Sequence, residues 1–530
     1  MNQDVYMHTP LKNKTALVTG VSSGIAREVA RLLAERGARV FGSVRIPKAA
    51  SPIRGVDLLS LAPIITLALA GCAVGPNYTR PMTDTPARYK AEALGSWKEG
   101  RPVDQIPKGD WWKIFGDETL NYLQGRATGA NQELKAAIAR VEQARATARV
   151  ARSELLPTLN ADSSYTRQRF SPNQVPSFGD LTANNYRAAL DMSYEIDLWG
   201  RVRRGFESAR ADAQASLAAF HNVLLTLHAD VAQNYFALRG LDAEISTVTS
   251  TVGLRKQQVQ LVRSRFDAGI GNELDVARAE TELASAEAEA ASLAKRRAEL
   301  ENALAILVGE NPSTIKFAAA SGDDGIKWSP APPKIPAGLP SDLLERRPDV
   351  SEAERQLAAA NARIGVAKAA FFPVLRLTSS GGYVSGDIES LFNWDSHVWS
   401  IGPSLSLPIF AGGRNLANYR RSKSAFEETI ARYRQSILVA FGDVESSLTG
   451  IHFLADQAAA QDRAVANSRR AVELASERYR AGIVSYLEVV DADRVALQSE
   501  RVSAQLAGQR LVASVQLIKA LGGGWQGQGF

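Results

Sequence analysis

The sequence predicts an α+β membrane protein, in which three chains form a twelve-stranded β-barrel, four strands from each, continued by a long α-helical barrel. Three observations predict it. The second half of the chain repeats the first at a fixed offset. Each half carries two stretches of alternating apolar and polar residues. Each half also carries two proline-free stretches far longer than an ordinary globular helix, rich in Ala, Glu, Gln, Arg and Leu.

The repeat sets the organisation. Arg265-Phe-Asp-Ala-Gly269-Ile-Gly-Asn-Glu-Leu274-Asp-Val276 matches Arg478-Tyr-Arg-Ala-Gly482-Ile-Val-Ser-Tyr-Leu487-Glu-Val489 at an offset of 213. Trp199-Gly-Arg201 aligns with Gly412-Gly-Arg414, and Gly309 with Gly522, at the same offset. Ala151-Arg-Ser-Glu-Leu-Leu-Pro157 matches Ala367-Lys-Ala-Ala-Phe-Phe-Pro373 at 216, a change that a loop absorbs. The boundaries that follow are 131–309 for the first repeat, a Pro- and Gly-rich linker over 310–348, and 349–523 for the second repeat. An N-terminal segment with equatorial elements precedes them at 72–130, and a tail follows at 524–530.

Each repeat opens with a helix ending before a proline, Asn131–Leu155 and Asp349–Phe371. Two strand segments follow, then long helical stretches at about 201–264 and 272–308, and at about 412–479 and 485–521. A helix of about 64 residues is roughly 96 Å long. Its contact positions are often alanine rather than a clean leucine heptad, which suits shallow packing of many helices around a wide axis.

The strands carry the sharper signal. In Tyr186–Leu198 the even positions are Tyr186, Ala188, Leu190, Met192, Tyr194, Ile196 and Leu198, against Arg187, Asp191, Ser193, Glu195 and Asp197. Trp399–Ile409 alternates likewise, with Pro403 and Pro408 awkward inside a strand. Leu159–Phe170 and Leu375–Val384 alternate more weakly. Such segments have the length and two-faced pattern of membrane strands, and a half-exposed soluble sheet is the other reading. Four strands cannot enclose a water-filled barrel, whereas three copies supply twelve and leave no edge open.

Composition excludes several functions. The 530 residues are 45% apolar and carry 62 Lys+Arg against 56 Asp+Glu, a net charge of +6 and a pI of 9.2. Residues 1–71 hold nine basic and four acidic side chains, so the rest of the chain is nearly neutral and no nucleic-acid partner is expected. One cysteine, Cys72, excludes an internal disulfide and a thiolate zinc cluster. The five histidines are scattered, although His221 and His228 share a helix face, and no metal site is expected. No run of 18 uninterrupted apolar residues argues for a helical span.

Two N-terminal features stand apart. Lys14-Thr-Ala-Leu-Val-Thr-Gly20-Val-Ser-Ser-Gly24-Ile-Ala26 reads as a strand, a glycine turn and a helix start. It resembles the opening of a short-chain dehydrogenase over about residues 12–46. The pattern then stops: no further βαβ units follow, and the Tyr-x-x-x-Lys pair of that family is read as absent. Residues 1–56 are therefore expected to be a non-functional fragment, with Gly20 and Gly24 a vestigial turn. Next, Lys48 and Arg54 precede an apolar stretch ending in Leu69-Ala70-Gly71-Cys72, which resembles the bacterial lipobox. Residues 57–71 are expected to be a lipoprotein signal, with Cys72 the lipid-attachment residue.

Four further stretches complete a resemblance covering about residues 70–523: Val74-Gly-Pro-Asn-Tyr-Thr-Arg-Pro81, Asp110-Trp-Trp-Lys-Ile-Phe-Gly-Asp117, Gly338-Leu-Pro-Ser-Asp-Leu-Leu-Glu-Arg-Arg-Pro-Asp-Val350 and Tyr479-Arg-Ala-Gly-Ile-Val-Ser-Tyr-Leu-Glu-Val-Val-Asp-Ala492. With the repeat, they resemble the TolC-like, NodT-type lipoproteins, outer-membrane efflux factors of resistance–nodulation–division pumps. The resemblance implies a homotrimer lipid-anchored in the bacterial outer membrane, with its helical part in the periplasm. It would be partnered by a periplasmic adaptor and an inner-membrane pump. It implies a passive conduit for drugs or other small toxic compounds, with no catalytic residue and no cofactor. Type I secretion and metal efflux are the nearest alternatives, with a dehydrogenase and a coiled-coil scaffold further off.

The resemblance also implies that the turns Gly269–Leu274 and Gly482–Leu487 form a periplasmic tip that shuts the tunnel. Asp491 and Glu488 map onto acidic rings of the gate, Tyr479 onto a gate tyrosine, and Asp275 is the counterpart on the first hairpin. Val484 stands where the best-studied gate of the family has an arginine. Carboxylates gathered at one axis would repel one another and favour cations. On the residues alone, these acids read equally well as solvated helix-end charges or as partners of Arg478 and Arg494.

Overall fold

The computed structural model describes residues 15–19, 31, 39–44, 56–60, 73–82, 89–90, 109–170, 182–318, 332–333, 335 and 346–523. The chain divides into two compact units. One comprises residues 1–77, 151–206 and 362–422; the other comprises 78–150, 207–361 and 423–530.

The first unit holds two sheets. Strands β1 (Thr15–Thr19), β2 (Arg39–Val44) and β3 (Val56–Ser60) pair in parallel, in the order β1-β2-β3. Of the expected strand, glycine turn and helix start, the strand is β1, and the turn and helix start lie outside the described residues. Val56–Ser60, which overlaps the first residues of the expected lipoprotein signal at 57–71, pairs with β2, Gly42 opposite Leu58. A short apolar run suits a parallel strand as well as it suits a signal core.

The second sheet is an antiparallel meander of β4 (Thr158–Arg169), β5 (Thr182–Ile196), β6 (Val374–Ser385) and β7 (His397–Ser406). Its central pairing joins the last strand of the first repeat to the first strand of the second. The register is constant across all three ladders. Leu159 lies opposite Met192, Met192 opposite Ser379, and Ser379 opposite Ile401. One sheet face therefore collects the apolar alternates of every strand, Leu159, Leu190, Met192, Ile196, Leu375, Leu377, Ile401 and Leu405 among them. The other collects Asn160, Asp162, Asp191, Glu195, Arg376, Ser380 and Ser404. A one-residue slip in any ladder would exchange the faces, so the register is strongly specified. Pro403, opposite Leu377, lies in edge strand β7, where a missing N–H is tolerated, and Pro408 lies beyond the strand end.

Aromatic side chains gather at both ends of the apolar face. At the loop end, the Tyr165 and Tyr186 rings lie 4.7 Å apart, and Trp394 stacks on His397 at 4.9 Å. At the helix end, Trp199 stacks on Phe372 at 4.7 Å and its indole N–H donates to the Pro373 carbonyl at 2.9 Å. Tyr186 to Ile196 covers about 34 Å of strand, or about 26 Å along the membrane normal at a tilt of about 40°, the height of a barrel's apolar band. Residues 73–77 run past this helix end. The Val74 amide donates to the Trp199 carbonyl at 2.9 Å, and a Cβ on Gly200 would meet Ala73 Cβ at 2.7 Å.

The helices of the chain are α1 (Glu118–Ala130), α2 (Gln132–Ser153), α3 (Arg201–Asp267), α4 (Glu273–Leu307), α5 (Pro348–Ala369), α6 (Arg414–Arg480) and α7 (Tyr486–Ala520) among the described residues. The long rods α3 and α6 have 67 residues each, and their partners α4 and α7 have 35 each, so the expected hairpins are present at nearly the expected bounds. Asp117 caps α1, its carboxylate accepting from the Leu120 amide at 2.9 Å. Asn131 separates α1 from α2: its Oδ1 caps the Leu134 amide and its Nδ2 donates to the Leu307 carbonyl, both at 2.9 Å.

The main core of the second unit packs Trp111, Trp112, Leu120, Leu123 and Leu134 against Val231, Tyr235 and Leu238 of α3, Leu304 of α4, and Leu511, Val515 and Ile518 of α7. Each fully buried leucine contributes about 1.5–3 kcal/mol. His228 belongs to this core. It stacks on Trp112 at 4.3 Å, its Nδ1 meets Gln124 Oε1 at 2.5 Å, and burial pushes its pKa down to about 4. It is a neutral packing group.

Although the sequence has no uninterrupted run of 18 apolar residues, α6 contains an 18-residue window of mean hydropathy 1.3. Its apolar residues Tyr433, Ile437 and Ala440 are buried together with Val350 and Leu357 of α5, and Val444 and Leu448 with Leu517 and Ala520 of α7. Side chains packed on neighbouring helices at this spacing mark an amphipathic rod rather than a lipid-facing helix. Midway along the second unit, α3 and α7 approach so closely at Gly240 and Gly508 that a Cβ on Gly240 would sit 3.0 Å from Gly508 Cα.

Candidate functional site

The tips of the two hairpins are built alike. Each long rod ends at a glycine with positive φ, Gly269 at 73° and Gly482 at 72°, a conformation that L side chains disfavour. The next residue's amide turns back onto the rod, Ile270 N–H to the Arg265 carbonyl at 3.0 Å and Ile483 N–H to the Arg478 carbonyl at 2.9 Å. Ile270 and Ile483 project from the turns, 70% and 68% exposed.

The return helices start differently. Asn272 caps α4, accepting from the Asp275 amide at 2.9 Å, and its Nδ2 donates to Asp275 Oδ2 at 2.9 Å. Asp275 also lies 3.7 Å from Arg278. Ser485 at the start of α7 makes no side-chain cap bond. Gly271 has no room for a side chain, since a Cβ there would lie 2.9 Å from the Phe266 nitrogen, whereas the second turn has Val484 at that place.

Behind the turns, Val262, Ala279, Tyr486, Val489 and Val490 form a small apolar core between the hairpins, with Tyr479 on its edge. The Tyr479 ring lies 5.4 Å from that of Tyr486, and the Arg265 guanidinium sits 4.9 Å from the Tyr479 ring centre. Burial raises the pKa of Tyr479; the Arg265 guanidinium opposes the rise and the charge of Asp275 adds to it. Burial likewise pushes Tyr486 up to about 12.

The two acids of the second hairpin are not brought into this core. Glu488 is exposed and stands 4.0 Å from Arg478. Asp491 is exposed, and the cation expected beside it, Arg494, is engaged elsewhere. Arg494 Nε donates to Glu282 Oε1 at 2.8 Å, and its Nη2 contacts the same oxygen. The other oxygen of Glu282 lies 3.1 Å from Arg255, whose Nη1 also donates to the Glu282 carbonyl at 2.6 Å. Glu282 and Arg255 are both buried, with side chains 9% and 6% exposed. One carboxylate on α4 is thus clamped by a cation from its own hairpin and one from the other. Alongside, Gln258 donates to Asp493 at 2.9 Å, and burial raises the pKa of Asp493.

A second cluster lies further from the tip. Glu244, 2% exposed, accepts from Arg501 at 3.0 and 2.9 Å and from Gln505 at 2.9 Å, and Arg501 also contacts Glu289.

Sequence reading missed Arg255, Glu282, Asp493, Glu244 and Arg501. A signal was present. At an offset of 213, Arg255 corresponds to Ser468, Glu282 to Val495, Arg494 to Thr281, Glu244 to Gln457 and Arg501 to Ala288. Apart from Asp493, whose counterpart is Glu280, the charges that tie the hairpins together are ones the repeat does not share.

Cys72, Gly20 and Gly24 lie outside the described residues. Tyr419 and Lys423 do carry a Tyr-x-x-x-Lys spacing, contrary to the expectation above. They lie on the first turns of α6, where the Tyr419 ring packs edge-on against Phe371 at 6.2 Å, a packing role. Among the described residues, no group of three or more His, Cys, Asp and Glu side chains could hold a metal ion.

Comparison with known proteins agrees with this architecture. The model of the family "Outer membrane efflux protein" matches residues 123–310 and 339–523. The solvent efflux pump outer membrane protein SrpC of Pseudomonas putida is 36% identical over 472 residues, 88% of this chain and 98% of that protein. The cation efflux system protein CusC of Escherichia coli O6:H1 is 33% identical over 466 residues, 87% of this chain and 98% of that protein. The crystal structure of the CmeC outer membrane channel of Campylobacter jejuni superposes with a TM-score of 0.79 at 27% identity, covering 87% of this chain and 96% of that one. The two-faced strands, the paired long rods and these matches lead to one conclusion: the chain belongs to the outer membrane efflux protein family, as an outer-membrane channel of an efflux pump and not an enzyme.

Proposed function

We propose that three copies of this chain close a twelve-stranded barrel and a tunnel of long helices, gated at the hairpin tips. The observation that carries this reading is the meander β4-β5-β6-β7, whose two faces are kept apart by a constant register while neither edge has a partner strand among the described residues. In hydrocarbon an unpaired strand edge is costly, so β4 of one copy must pair with β7 of the next.

Asp491, Glu488, Tyr479 and Asp275 are the gate residues in this reading. The exposure of Glu488 and Asp491 supports it, because groups meant to meet their own kind at a threefold axis must point away from their own chain's core. The Glu282 clamp keeps the second hairpin against the first, and opening has to break it. A periplasmic adaptor bound at the tips and an inner-membrane pump would supply that bias. Cys72 is the lipid-attachment residue: Ala73, its neighbour, lies at Gly200, beside the helix end of the sheet, where acyl chains would enter the inner leaflet. The cargo is drugs or other small toxic compounds; SrpC is named for solvents and CusC for cations, so a shared framework serves unlike cargoes.

The test is conductance in planar bilayers. Asp491→Ala should raise single-channel conductance and weaken block by multivalent cations; wild-type behaviour from the variant would remove Asp491 from the gate.

A further inference from the structure

The apolar face of the meander contains just two formally charged side chains among the described strand residues, and both are arginines. Counting alternates from Leu159, the face carries Ala161, Ser163, Tyr165, Arg167 and Arg169 on β4. On β5 it carries Thr182, Asn184 and then Tyr186 through Ile196 at every second residue, on β6 Leu375 to Ser385, and on β7 His397 to Leu405. The acids of these strands, Asp162, Asp191 and Glu195, are all on the opposite face, as are Arg187 and Arg376.

The two arginines are also neighbours on one face of one strand. They follow Tyr165 by two and four residues, about 7 and 13 Å along the strand, at the end remote from the helices. Tyr165 marks the boundary. Its ring packs on Tyr186 within the apolar band, while its hydroxyl donates to Asn184 Oδ1 at 3.1 Å. Asn184 is the register partner of Arg167, so the phenol aims its polar tip toward the level of the arginines. That is how a belt tyrosine sits at a membrane surface, ring in the apolar layer and hydroxyl at the headgroups. Arg167 and Arg169 are exposed. A guanidinium forks onto phosphate oxygens in a way that an ammonium does not.

We propose that Arg167 and Arg169 form a binding site for the phosphate groups of the phosphorylated glycolipid of the outer leaflet, one site on each chain's β4. Among the described strand residues this face carries arginine but no acid, and both arginines lie beyond the tyrosine pair, a placement that suits an anionic headgroup on the outer side. The proposal rests on the reading that this face meets lipid.

The test uses the full-length protein purified from outer membranes, with native mass spectrometry to count retained lipid. The probes are bisphosphorylated lipid A, its dephosphorylated form and phosphatidylglycerol. Wild type should retain bisphosphorylated lipid A at least about tenfold better than the dephosphorylated form and better than phosphatidylglycerol. R167Q/R169Q should lose that preference, and R167K/R169K should recover part of it. Both positions are exposed, so conductance in planar bilayers should stay at the wild-type level. Equal retention by R167Q/R169Q, or no discrimination against the dephosphorylated lipid or phosphatidylglycerol, would overturn the site. If wild type itself conducts nothing, the channel reading fails independently of the lipid result.

Discussion

The two hairpin tips differ far more in how they are fastened than in how they are shaped. Both rods end at a glycine near φ of 73°, and both turn back through the same backbone bond. The first turn is then locked by Gly271, which has no room to become anything else, and by the Asn272–Asp275 cap. The second has Val484 and an uncapping Ser485, and holds to its neighbour mainly through Glu282 and the small core around Tyr486. A fixed hairpin beside a loosely finished one that is held by breakable ionic contacts is the arrangement expected of a frame and a moving part.

The strongest blow to this contrast is Glu282→Ala. It leaves Arg255 buried without its counter-charge, and breaking a buried pair from one side costs about 3–5 kcal/mol. Urea denaturation should show that loss, and planar bilayers should show a larger or more frequent open state. A variant that is destabilised yet conducts as wild type would make Glu282 a packing residue and nothing more. Next, Gly271→Ala must push a methyl against the Phe266 backbone and should cost about 1–3 kcal/mol, while Val484→Ala should cost less than 1 kcal/mol. Comparable losses at both turns in thermal melts would erase the difference between them.

A smaller effect sharpens the same point. Asn272→Ala removes a cap worth about 1 kcal/mol, while Ser485→Ala, with no cap bond to lose, should change stability by a few tenths of that at most. The smallest effect concerns pH. Burial raises the pKa of Asp493 in the folded chain above the ordinary carboxylate value, so the folded form keeps this proton to higher pH than the unfolded form does. Its contribution is full below about pH 4, where the unfolded carboxyl titrates, and is lost as pH rises through the folded value. Asp493→Asn should therefore flatten that part of the stability–pH profile, and an unchanged profile would place the residue in water.

Most of the architecture was legible because it is written in period and punctuation. Alternation over Tyr186–Leu198 located a strand that the structure ends at Ile196, and the shared Ala-Gly-Ile of the two turns located both tips. The tip residues were found, but their partners were not. Helical spacing says which residues share a face, not which rod that face meets. Arg494 has Asp491 as a close neighbour in sequence and Glu282 as its partner in space, 212 residues away. In alanine-rich rods no bulky stripe marks the buried side, so a glutamate at 282 looks like any other until the neighbouring helix is in place. The Asn131 cap and the Trp111–Trp112 anchor were hidden for the same reason, each being defined by contacts with a distant helix.

The outer edges of β4 and β7, without a partner strand among the described residues, have a consequence beyond the proposed pore. A single copy cannot dissolve in hydrocarbon with two rows of bare amides and carbonyls, each costing several kcal/mol. In the proposed trimer, entry into the membrane and recruitment of sister copies therefore become one event rather than two, and its yield climbs with a power of the amount of polypeptide supplied. A cell making little of this chain would keep it waiting outside the bilayer, and a copy with a damaged edge would spoil the intact sisters that join it.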